Sequence, residues 1–194
     1  MLFLAAFAVY TCGSVDAVVT AREYRRRAQS APKAEKALSD GEPEARLQGV
    51  RALAEVADGR AVSALIAALA DQHEGVRAEA ARALGRVQDA RAVDALTGAL
   101  TDAHEAVRAE AAQALGAVRD RRALAALIAA LKDADARVRT EAVAALGLLR
   151  DARAVDALVA MLGDADQGVR GEAIAALKWI GDERGLRAIG GADA

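Results

Sequence analysis

With a lone cysteine, Cys12, the chain can build neither an intrachain disulfide framework nor a thiolate metal cluster. Proline occurs only at Pro32 and Pro43, so little interrupts a helical reading of the rest. Aromatics are 3% of the residues, and the charges nearly balance at a net −2. Neither a stacking platform nor a basic footprint for nucleic acid is present. No window resembles a β-branched strand run. Missing too are a glycine-rich phosphate loop, an HExxH pair of metal-binding histidines and a serine–histidine constellation with motif context. Cys12 has no histidine nearby to activate it. These absences leave no catalytic residues to name and no cofactor to expect.

What the chain has in abundance is Ala, Leu and Val, within a hydrophobic fraction of 54%, together with Arg and Glu. Most of these are strong helix formers. They fall in a repeat of 31 residues, marked by Asp58, Asp89, Asp120, Asp151 and Asp182. "DGRAVSALIAALAD" aligns without gaps on "DARAVDALTGALTD", "DRRALAALIAALKD" and "DARAVDALVAMLGD". The second halves match as "GVRAEAARALGRV", "AVRAEAAQALGAV", "RVRTEAVAALGLL" and "GVRGEAIAALKWI". The units are residues 58–88, 89–119, 120–150 and 151–181, with a divergent unit at 27–57 and a partial, capping one at 182–194.

Each half reads as an amphipathic helix. Val62, Leu65, Ile66 and Leu69 follow i, i+3, i+4, i+7 spacing, with Asp58 placed to cap. Val76, Ala80, Ala83, Leu84 and Val87 form the stripe of the second helix. Gly85, Gly116 and Gly147 lie near its end, where glycine permits either termination or close packing. One helix pair cannot bury its own apolar face, whereas stacked pairs bury a continuous core. The unit resembles the short HEAT-like repeat of bilin-lyase-type proteins and artificial alpha-repeat scaffolds, from Arg27 to about Ile189. The resemblance implies an all-α fold, a right-handed α-α superhelix of helix pairs, with the second helices lining the concave side.

Polar positions recur as strictly as apolar ones. Asp71, Asp102, Asp133 and Asp164 stand in the turn between helices, and Arg77, Arg108, Arg139 and Arg170 follow six residues later. Asp40 and Arg46 extend both rows into the first unit. Glu79, Glu110, Glu141 and Glu172 form a third row, begun by Gln48. We expect an Asp–Arg ladder joining neighbouring repeats, because a solenoid is held by repeated nearest-neighbour interactions.

The two histidines fall within "DQHEGVR" and "DAHEAVR", which raises a metal reading for His73, Glu74, His104 and Glu105. The same slot holds Asp135 and Asp166 in later units, and Glu42 before Pro43 in the first. Proline favours the first helical position, so this slot is the N-cap, and Glu74 and Glu105 suit the helix dipole. The resemblance to deoxyhypusine-hydroxylase-like iron proteins implies His-Glu pairs inside the second helix. There this chain reads Ala78-Glu79, Ala109-Glu110, Thr140-Glu141 and Gly171-Glu172. Metal ligation by these residues is therefore disfavoured.

Positions that vary between units point to a partner. The outward face of the second helices reads Leu47, Arg51, Glu55, then Ala78, Arg82, Arg86, then Ala109, Gln113, Ala117, then Thr140, Ala144, Leu148, then Gly171, Ala175, Trp179. Arg51, Arg82, Arg86, Gln113, Leu148 and Trp179 are the candidate contacts for a protein or peptide, since Arg and Trp often anchor interfaces. Trp179 has a second reading, as a cap over the core edge beside Leu186 and Ile189. The expectation is a non-catalytic scaffold that binds no nucleic acid. Its rivals are a bilin-lyase-like chromophore attachment factor and a di-iron hydroxylase-like enzyme. Residues 1–26 form a separate leader. Residues 1–21 lack Lys and Arg, just suffice to span a bilayer and precede "REYRRR". A membrane anchor with a cytoplasmic solenoid is the leading expectation. A cleaved signal, a misassigned start and a helix packed on the first repeat are the alternatives.

Overall fold

The computed structural model describes residues 31–56 and 59–192. The leader and the Asp58 cap lie outside the described residues. Among the described residues, no helix is long and apolar enough to cross a membrane. Residues 31–37 are helical and are followed by α1 (Pro43–Val56), α2 (Gly59–Ala68) and α3 (Glu74–Val87). Then come α4 (Val93–Ala99), α5 (Glu105–Val118), α6 (Leu124–Ala130) and α7 (Ala136–Leu149). The order closes with α8 (Val155–Ala160), α9 (Gln167–Ile180) and α10 (Glu183–Ala192). Helices alternate between two layers. The odd-numbered second helices stack on one another in chain order, and each first helix packs against the second helix that follows it.

Local signals explain these boundaries. α3, α5, α7 and α9 begin at the N-cap residues His73, His104, Asp135 and Asp166, all in extended backbone. Asp135 and Asp166 accept from the amides of Val138 and Val169 at 3.1 Å. The same helices stop at a left-handed residue: Gln88, Arg119, Arg150 or Gly181. The glycines near those ends serve close approach instead. A Cβ on Gly85, Gly116 or Gly147 would fall 2.8–3.0 Å from the backbone of Ala114, Ala145 or Ala176 on the next second helix. The first helices differ from the continuous helix expected. Asp89, Asp120 and Asp151 cap a single 3-10 turn, and only then does α4, α6 or α8 begin.

The core is one continuous strip. Leu65, Leu96, Leu127 and Leu158 from the first helices meet Leu53, Leu84, Leu115, Leu146 and Leu177 from the second, all fully buried. Burying a leucine side chain is worth about 2 kcal/mol, so each unit depends on its neighbours to cover its own.

Candidate functional site: polar rows and the outward face of the second helices

The turn aspartates and the following arginines form a two-sided clamp. Arg77 donates through Nε and Nη2 to Asp102 at 2.7 and 2.9 Å, so its carboxylate partner belongs to the next unit. Its remaining nitrogen, Nη1, donates back to the carbonyl of Asp71 at 2.8 Å, closing the turn of its own unit. Arg46 with Asp71, Arg108 with Asp133 and Arg139 with Asp164 repeat this geometry. Arg170 keeps the carbonyl bonds, to Asp164 and Ala165 at 2.8 and 2.9 Å, but meets no carboxylate among the described residues. Hydrogen bonds from these arginines hold Asp71, Asp102, Asp133 and Asp164 below the usual carboxylate range. In each turn aspartate Oδ1 also accepts the amide two residues on, including those of His73 and His104 at 2.8 and 2.9 Å.

His73 and His104 belong to the helix ends. His73 Nδ1 accepts the Gly75 amide at 3.1 Å, whereas the side chain of His104 makes no capping bond. Glu74 and Glu105 occupy the first turns of their helices. Among the described residues, no three His, Cys, Asp or Glu side chains converge on a point where a metal could sit.

Two polar arrangements were missed in the sequence. On the first-helix side, Arg122 donates to Asp120 of its own unit at 2.8 Å, and to Asp94 and the Ala90 carbonyl of the preceding one. Arg184 repeats this toward Asp182, Asp156 and Ala152. The Asp-x-Arg triplets were the available signal. On the second-helix side, Arg82 bridges Glu79 at 3.1 Å and Glu110 at 2.8 Å, and Arg137 reaches Glu110 from the other side at 2.8 Å. Both glutamates are buried. Burial pushes the Glu110 carboxyl up, but Arg82 and Arg137 prevail and hold it below its ordinary value. Arg82 is thus engaged within the fold as well as lying on the outward face.

The remaining candidate contacts spread along that face. Arg51 is exposed and lies 3.7 Å from Glu79. Arg82, Arg86 and Gln113 border one open depression, floored by Gly85, Ala114 and Ala117. Leu148 is half-buried. Trp179 packs its edge over Gly147 yet stays 51% exposed, and Leu186 is 46% exposed, while Ile189 is buried. Trp179 therefore covers part of the core edge and leaves half of its surface free.

The family model for HEAT repeats matches residues 31–116 and 98–178. The chain belongs to the HEAT-repeat family. Among curated proteins none matches it. Solved structures agree on the solenoid. The complex of CpcE and CpcF of phycocyanin lyase from Nostoc sp. PCC7120 is similar at 26% identity and a TM-score of 0.72. That match covers 79% of this chain and 66% of the other, so the HEAT-repeat chain spans just under two thirds of that relative. An engineered protein is similar at 28% identity and a TM-score of 0.63, over 84% of this chain and 87% of that one. A designed armadillo repeat protein in complex with the peptide (KR)4 shares the fold at 24% identity and a TM-score of 0.60, over 91% and 98% of the two chains.

Proposed function

We propose that this HEAT-repeat chain is a non-catalytic scaffold that binds an extended segment of a protein partner in the groove lined by its second helices. One observation carries the reading. Core leucines and the turn clamp repeat from unit to unit, while the outward positions of the second helices change in every unit. They pass from Arg51 and Glu55 through Arg82, Arg86 and Gln113 to Leu148 and Trp179. The repeat does not fix these positions, so they are the ones free to carry contacts specific to a partner. A half-exposed tryptophan at the apolar end supplies the kind of anchor that dominates interfaces.

The test is selection of binders from a random peptide display library against the full chain. Selected peptides are expected to bind at least tenfold more weakly to Trp179→Ala and to Arg86→Glu. Peptides that bind both variants as well as the native chain would refute the groove.

A second reading follows from the likeness to phycocyanin lyase, in which CpcE and CpcF form a complex. In it the chain would be one member of a pigment-attachment pair. Co-expression with a bilin would then give a coloured, visibly absorbing protein. A colourless product that still binds selected peptides would leave the scaffold reading alone.

A further inference from the structure

The glutamate row on the second helices is filled in two registers and open in two. Arg51 on α1 approaches Glu79 on α3 at 3.7 Å, and Arg82 on α3 grips Glu110 on α5 through Nη2 and Nε at 2.8 and 3.1 Å. In both cases a guanidinium crosses from one second helix to the glutamate 28 residues later. The next arginine positions are Gln113, facing the register of Glu141, and Ala144, facing that of Glu172. No arginine within the described residues forms an ion pair with Glu141 or Glu172. Arg137, one turn before Glu141, is turned to Glu110. Burial raises the Glu141 carboxyl above its ordinary value, and Glu110 and Glu172 add to the effect against the opposing charge of Arg137.

Small groups surround the Glu172 register. A Cβ on Gly171 would meet nothing within 4 Å, and Ala144 and Ala175 carry only methyl groups. Two helical turns beyond Glu172, about 10 Å along α9, the ring of Trp179 is 51% exposed. The molecule thus shows what pairs with the row where its own sequence provides an arginine, and in the last two registers it supplies only the uncharged Gln113 and Ala144. Among the described residues no group of three metal-binding side chains includes these two carboxylates, a poor arrangement for a metal ion that needs several ligands. Phosphate-rich nucleic acid would be repelled by both.

We infer that Glu141 and Glu172 receive the guanidinium or ammonium groups of a basic, extended segment of a protein partner, with Leu148 and Trp179 taking a neighbouring apolar side chain. This rests on the groove reading above and names its chemistry. Arginine suits the slot best, because its planar fork makes the two-point contact with a carboxylate already seen between Arg82 and Glu110.

The experiment measures binding of fluorescein-labelled (KR)4 to the full chain by anisotropy, with Trp179, the sole tryptophan, as a second reporter. A neutral peptide of equal length is the comparison. The double variant Glu141→Gln/Glu172→Gln is expected to bind (KR)4 at least tenfold more weakly, with an unchanged or slightly higher melting temperature. The charge-matched control Asp94→Asn/Asp156→Asn removes two carboxylates that are 83% and 80% exposed on the first helices. It should bind as the native chain does. Equal binding by the glutamine variant, or equal weakening by the control, overturns the inference. If library-selected peptides need Trp179 but show no enrichment of Arg or Lys, the groove stands and the basic subsite falls. If no peptide binds the groove at all, both fall.

Discussion

Replacing Arg108 with alanine tests whether the turn clamp holds repeats to each other. The side chain donates to Asp133 at 2.7 and 2.8 Å and to the Asp102 and Ala103 carbonyls at 2.9 and 3.2 Å. Removing one partner of a buried ion pair costs roughly 3–5 kcal/mol, because the other charge is stranded. Here Arg108 and Asp133 keep 16% and 12% exposure, and Asp133 still accepts the Asp135 amide at 2.9 Å. Both facts place the cost toward the lower end, at about 3 kcal/mol. The fold supplies its own control. Arg170 makes the same carbonyl bonds without the carboxylate, so Arg170→Ala should cost about 1 kcal/mol or less. Melting followed by circular dichroism should then show Arg108→Ala lowered by roughly 6–12 °C and Arg170→Ala by no more than about 4 °C. Adding Asp133→Ala to Arg108→Ala should cost less than the two single changes summed, with a coupling of at least about 1 kcal/mol. Equal melting of Arg108→Ala and Arg170→Ala would refute the inter-repeat role, since the carboxylate contact is the difference between them.

His104→Asp should raise stability by about 1 kcal/mol, because His104 makes no capping bond while Asp135 and Asp166 do so in the same slot; denaturant midpoints check it. His73→Asp should gain less, since His73 already accepts the Gly75 amide. Gly116→Ala should lose about 1–3 kcal/mol, as its Cβ would fall 2.8 Å from the Ala145 Cα, whereas Gly98→Ala, with nothing within 4 Å, should gain up to about 1 kcal/mol. In an acid titration of melting temperature, the ladder aspartates and the capping Asp89 and Asp151, the last two held down to about 2, have depressed folded-state values. Their stabilisation is present above the unfolded value near 3.8 and is lost as pH falls through that range toward 2. Glu141 works oppositely, as its raised carboxyl destabilises the fold once pH rises past the unfolded value of 4.5, so Glu141→Gln should be neutral or stabilising at pH 7.

Much of this architecture was legible because one unit is written several times over. The apolar spacing of Val76, Ala80, Ala83 and Leu84 appears in four copies, and all four residues are buried. Histidine in two units and aspartate in two others at one slot, with Pro43 after it in the first unit, located the second helix start. Other features lay beyond the pattern. Arg77 recurs six residues after Asp71 and 25 before Asp102, and periodicity alone gives the two aspartates equal standing. Only the offset between stacked units sets the Asp102 carboxylate against Nε and Nη2 and leaves the Asp71 carbonyl for Nη1. The 3-10 turns after Asp89, Asp120 and Asp151 were hidden for a similar reason, since Asp caps either kind of helix. Arg82 read as a free groove residue because its grip on Glu110 crosses between units.

Two of the three repeated devices change at the last second helix, and the third has already changed two units earlier. The arginine clamp reaches Arg170 and finds no carboxylate among the described residues. The glutamate row continues to Glu172, but its arginines stop at Arg82. The slot where Gly85, Gly116 and Gly147 admit the next helix backbone is taken by Lys178, which is exposed. A lysine there cannot allow the 2.8–3.0 Å approach that the glycines permit. Another second helix could not approach α9 as closely as α9 approaches α7. The free half of the Trp179 ring and the Glu172 register are the features that the proposed partner segment would meet at this end. An extended chain would need only side-chain pockets there, not the close backbone approach that the glycines permit.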